Sequence, residues 1–211
     1  MRVRKVLLVC GILSSVLWIG ADIIASMLYE SYSFINQSIS ELSAIGAPTR
    51  AFLATSNIIY VLLLFAFGVG VLATGSRKRA LRVTGILMMT HAVLALISGL
   101  FPMNMRGTQM TISDIMHIIF YTAIPLIILF IIGFGAFVFG KLFRIYSIGT
   151  IVVIIMFGAL TGMAGPRVAA GLSTPWLGVY ERINVYGYML WVLVLSIILL
   201  SEEKGKTKEI L

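Results

Sequence analysis

Nine residues hold most of the chemistry this chain could do: Asp22, Ser40, Glu41, Asn57, His91, Asp114, His117, Glu181 and Arg182. Their setting makes them informative, because most interrupt long apolar runs. There an ionisable group costs roughly 2.5–3.5 kcal/mol at a helix centre. Helical spacing shows where each points. Ser15, Trp18, Asp22, Ser26 and Tyr29 follow steps of three or four and form one stripe. Thr84, His91 and Ser98 recur every seven residues. Asp114, His117 and Tyr121 share a face, as do Glu181, Asn184, Tyr188 and Trp191, with Asn57 and Tyr60 a shorter pair. Every stripe becomes most polar toward the same end, which implies a polar cavity or network opening there.

Several chemistries fit these residues. Asp22 either pairs with an arginine, Arg167 or Arg182, and fixes packing, or it serves the cavity. His91 is either a neutral, hydrogen-bonded core histidine or a proton carrier. Asp114-x-x-His117 reads as a helix cap with an interfacial histidine, or as a metal pair with i,i+3 geometry. Two histidines and one cysteine, Cys10, make no zinc set, so neither a metal nor a cofactor is expected. No GxSxG, HExxH, P-loop or dinucleotide fingerprint occurs. An enzyme would have to be assembled from unlinked Ser, His and Asp.

The elements that must position these residues follow from composition. Sixty per cent of the 211 residues are hydrophobic and only 11% are charged, with mean hydropathy +1.05. Soluble domains are about 45–50% apolar and about 25% charged. The expected fold is an all-α integral membrane protein, a six-transmembrane-helix bundle, with one domain over residues 1–200. Its helices are expected at about 6–28, 51–74, 83–101, 114–139, 147–164 and 181–200, followed by a charged cytoplasmic tail at 201–211. The first apolar run extends to about Leu28, beyond the roughly 7–15 residues of a signal peptide, so it reads as an uncleaved span. Pro125 predicts a kink in the fourth helix. Gly158 and Gly162 form a GxxxG, and such small-residue faces suit a homo-oligomer.

Charge distribution sets the orientation. Twelve Lys and Arg residues fall in the N-terminus, 75–82, 140–146 and the tail, against four (Arg50, Arg106, Arg167, Arg182) near the alternate loops. That bias places both termini in the cytoplasm and the polar ends at the outer face. It also accounts for the net charge of +8 without nucleic acid, since no basic run is interleaved with polar and aromatic residues.

The most informative loop is Ser38-Ile-Ser-Glu-Leu-Ser-Ala-Ile-Gly-Ala-Pro-Thr-Arg50, just before the second helix. Ser40 is expected to cap a short turn, and Glu41 to pair with an outer arginine, Arg182 ahead of Arg167. Gly46 and Pro48 impose a turn into the helix. This block, with Phe101-Pro102, His117 and Glu181-Arg182, resembles the bacterial and archaeal multipass family known as domain of unknown function 998. The resemblance implies an acidic residue shortly after Phe-Pro; Asn104 stands there, and Asp114 is the nearest substitute. The Ser-Glu…Gly…Pro pattern is more distantly similar to the six-helix Frag1/DRAM/Sfk1 group, several members of which are associated with lipid organisation. The expected function is binding or handling of membrane lipid at the plasma membrane, through a polar cavity opening to the outer leaflet. The alternatives are a small proton-coupled transporter using Asp22, His91 and Glu181, or an intramembrane lipid hydrolase or transferase.

Overall fold

Apolar runs longer than a bilayer's width can satisfy their backbone only as helices, and helices are what form. The computed structural model describes residues 2–74 and 78–208, with side chains as far as Glu203. Met1, the loop residues up to Arg77, and the side chains of Lys204, Lys206 and Lys208 lie outside the described residues. The elements are α1 (Arg2–Leu28), a 3-10 turn (Ile39–Ser43), α2 (Arg50–Thr74), α3 (Arg79–Ser98), α4 (Ile112–Gly135), α5 (Lys141–Met163), α6 (Gly165–Ala169) and α7 (Leu177–Lys208). Six of these are long and apolar enough to cross a membrane.

The helices run past the expected boundaries mainly at the basic end. α3, α5 and α7 take in Arg79, Lys141 and the segment to Lys208. Apolarity marks the hydrocarbon, whereas backbone hydrogen bonding continues into the headgroup zone, where long basic side chains reach water. The expected tail is therefore largely a continuation of α7, and Glu203 in it pairs with Arg4 of α1. α4 continues through Pro125 without a break.

Neighbour packing runs α1–α2–α3–α4–α5–α7 and back to α1, which closes a ring. The α4–α5 contact is its thinnest seam. Leu8, Phe67, Met88, Trp191 and Leu195 fill the interior with no exposed surface, while Leu62, Phe130, Leu142 and Val152 stand exposed on the outside. Such an inverted surface is stable only against lipid. Hydroxyls join the helices: Ser15 Oγ donates to Met189 O at 2.9 Å, and Ser196 Oγ to Leu8 O at 2.6 Å. The segments 29–49, 99–111 and 164–176 all lie at one end of the ring, the capped end.

α2 and α3 touch backbone to backbone. A Cβ on Gly85 would lie 2.7 Å from Leu72 N and 2.8 Å from Gly68 O. Gly85→Val is therefore expected to lower the thermal unfolding temperature of the purified protein by several degrees through overpacking. Gly149→Val, with nothing within 4 Å of the new Cβ, leaves it unchanged.

Candidate functional site

The capped end is built around two ion pairs, one fully buried and one partly exposed on its arginine side. In the first, Arg182 Nε and Nη2 each donate to an Asp22 carboxylate oxygen at 2.9 Å. Tyr186 Oη donates to Asp22 Oδ2 at 2.6 Å. The remaining guanidinium donors reach Phe34 O, Gly178 O, Ser26 Oγ and Tyr32 Oη, and the Phe34 ring lies 3.6 Å below. Of the two arginines open to Asp22, Arg182 is its partner, while Arg167 donates to Ser173 O. Burial pushes the Tyr32 phenol well above its ordinary value against the pull of Arg182, so it stays protonated.

The second pair corrects the sequence-based expectation. Glu41 does not meet Arg182; it accepts from Arg106 Nε at 2.6 Å and Nη2 at 2.7 Å. Arg106 also donates to Leu172 O and Thr174 Oγ1, and so ties three loops together. Direction in an irregular loop has no period from which a partner such as Arg106 can be inferred. Burial alone would raise the Glu41 carboxyl, but hydrogen bonds from Arg106, the Ser38 N–H and Gln37 hold it below its ordinary value near 4.5. The bond to Glu41 in turn raises Arg106, against its own burial. The expected cap shifts too. Ser38, not Ser40, precedes the 3-10 turn, its N–H donating to Glu41 Oε2 at 2.8 Å.

Ser40 is left free to reach α4. His117 Nδ1 lies 3.1 Å from Phe101 O and its Nε2 lies 3.2 Å from Ser40 Oγ. A carbonyl can only accept, so Nδ1 carries hydrogen, and in the neutral ring Nε2 accepts from the serine. Glu181, 3% exposed, accepts the Ile39 N–H at 2.7 Å, and the Tyr121 side chain interacts with it. Asp114 is fully occupied as a cap, taking Asn104 N and Nδ2 at 2.7 Å, and Thr111 N and Oγ1 at 2.8 Å. That is the cap reading of Asp-x-x-His, and Asn104 is the partner of Asp114.

Two cavities meet at these residues. A central chamber of about 290 Å³ lies inside the ring, lined by Asp22, Arg50, Asn57 and Val185 among others. A larger cavity of about 660 Å³ lies between α4 and α5–α6, against Ile118, Thr122, Gly162 and Pro166, all exposed. Ser40, His117, Tyr121 and Glu181 line both. Asp114 borders only the outer cavity. His91 borders neither: it sits 3% exposed in the core with Nδ1 3.1 Å from Tyr188 Oη. Arg182 stands behind Asp22 and borders neither. The GxxxG divides in the same way. Gly158 packs against Asn184, whereas Gly162 faces open space on the cavity wall.

The profile of a family described as "Protein of unknown function (DUF998)" matches residues 12–198. The chain belongs to this family. Neither curated proteins nor solved structures return a match. The DUF998 match takes in both ion pairs, both cavities and every residue of the Ser40–His117 contact.

The Glu41 pair makes stability depend on pH with a definite sign. A carboxyl lowered in the folded state stabilises above its unfolded value, and that contribution is lost as pH falls through the lowered folded value. Thermal unfolding should hold from about pH 7 to about pH 5 and decline below that. Glu41→Gln is expected to lower the melting temperature at neutral pH and to reduce the acid-side decline. An unchanged acid profile in the variant would show that the pair does not carry the effect.

Proposed function

We propose that this DUF998 protein holds a membrane lipid at its capped end, with the headgroup in the central chamber and acyl chain in the α4–α5 cavity. The observation that carries this reading is the junction of the two cavities at Ser40, His117, Tyr121 and Glu181. The chamber is bordered by Asp22, Arg50 and Asn57, while the larger cavity has Asn104, Arg106 and Asp114 at its capped rim and opens sideways along Ile118, Thr122 and Gly162, where the ring packs most thinly. A lipid with its headgroup toward the capped end and an acyl chain along the lateral opening suits this arrangement. Arg50, which borders the chamber and is in no ion pair among the described residues, suits an anionic headgroup oxygen.

The positive-inside bias supports placing the capped end at the outer face of the plasma membrane, with both termini cytoplasmic. Lipid holding is favoured over transport by the packing of the opposite half, where Leu8, Phe67, Leu195 and Leu199 leave no exposed surface. Orientation is tested with an impermeant thiol reagent, which should modify cysteines placed in 29–49 and 102–111 of intact cells and spare 78.

Blocking the lateral cavity tests the binding. Gly162→Trp puts a large side chain into open space on the cavity wall. The protein purified in mild detergent should retain phospholipid, measured by mass spectrometry of its extract. Gly162→Trp should lose most of it, while Gly149→Trp, on the lipid-facing surface, keeps it. Equal lipid in all three proteins would refute the proposal.

A further inference from the structure

We infer that Ser40 and His117 form a nucleophile–base dyad that cleaves a carboxylic ester of the lipid held at this site, an inference that rests on the lipid-holding reading. Three observations carry it. The first is the tautomer: donation of Nδ1–H to Phe101 O at 3.1 Å leaves the Nε2 lone pair facing Ser40 Oγ at 3.2 Å. A base oriented by a third group, with the nucleophile about 2.6–3.2 Å away, is the arrangement that activates a serine. The backbone carbonyl takes the orienting role that a carboxylate fills elsewhere.

The second is the rigidity of the nucleophile's turn. Ser40 sits between Ile39, whose N–H is held by Glu181, and Glu41, whose carboxylate takes two bonds from Arg106. Glu181 of α7 and Arg106 of the 99–111 segment therefore fix one short turn from two sides. The third is position. Ser40 and His117 line the boundary between the central chamber and the lateral cavity. In a glycerolipid the ester carbonyls lie at the corresponding boundary between headgroup and acyl chain.

The reaction balances with water as the only co-reactant. Ser40 Oγ attacks the ester carbonyl carbon while its proton passes to His117 Nε2. The tetrahedral intermediate collapses, the C–O bond to the glycerol oxygen breaks, and His117 returns the proton to that oxygen. Acyl-Ser40 and a lysolipid result. Water then attacks the acyl carbonyl, giving its proton to Nε2. On collapse the fatty acid leaves and the proton returns to Ser40 Oγ. The Asn57 amide, on the chamber wall, gives one N–H to Ala95 O at 3.4 Å and has a second for the intermediate's oxyanion.

The test uses the full chain in phosphatidylglycerol–phosphatidylethanolamine nanodiscs, treated with a long-chain alkyl fluorophosphonate and digested for peptide mass spectrometry. The expected result is a phosphonyl adduct on Ser40, absent in Ser40→Ala and formed about 100-fold or more slowly in His117→Gln. Ser201→Ala, exposed and remote, labels like the wild type. Thermal unfolding of each variant separates loss of chemistry from loss of fold. An unlabelled Ser40 in wild-type protein that still copurifies with lipid overturns the dyad and leaves lipid holding intact. Labelling of a folded His117→Gln at the wild-type rate overturns it as well. Labelled Ser40 in protein that retains no lipid would instead overturn the lipid-holding reading.

Discussion

A guanidinium and a carboxylate buried inside a helical bundle have no water to fall back on, so their geometry constrains whatever surrounds them. Arg182 and Asp22 meet through two parallel bonds at 2.9 Å, and every remaining guanidinium donor finds an oxygen on α1, α7 or the 29–38 segment. Satisfying such a pair roughly offsets its desolvation, while removing one partner costs roughly 3–5 kcal/mol. The consequence is registry more than stability. The first helix is locked to the last, the ring closes, and the start of the long first loop is anchored against α7.

The rest of the capped end hangs from that anchor. With Phe34 and Tyr32 held by Arg182, the chain arrives at Ser38 in position for Glu41 to cap the 3-10 turn and to receive Arg106. Arg106 brings in the loops after α3 and α5, and Ile45 N donates to Met103 O at 2.8 Å. A lid laced this way is stiff, and one side of the ring beneath it is loosely packed. That side is the α4–α5 seam, where few helix contacts form and the larger cavity lies. Rigidity above and a gap at the side are what the proposed entry of a lipid from the bilayer plane requires.

Most of the fold was legible in the sequence, because hydrocarbon length and apolarity are one-dimensional properties. The stripes were legible too: Asp22, His91 and Glu181 all turn inward, as the cost of facing lipid requires. Helical period gives direction but not depth or neighbours. His91 shares the inward direction of Asp22 and yet packs with Tyr188, away from both cavities. The two loop residues Glu41 and Arg106 are 65 positions apart and belong to segments with no period, so their pairing could not be read. The Ser40–His117 contact was hidden for the same reason. The visible signal was only that Ser40 and His117 both belong to the family-like blocks.

If the central claim is right, the capped end holds lipid between a rigid lid and a lateral opening. An experimental structure of the protein in lipid nanodiscs, without detergent, tests this most directly. The account predicts density continuous from the chamber beside Ser40, His117 and Glu181, passing between α4 and α5 toward the membrane, with the lid in place. A central chamber filled only by protein side chains or water, with lipid confined to the outer surface of the ring, would contradict it.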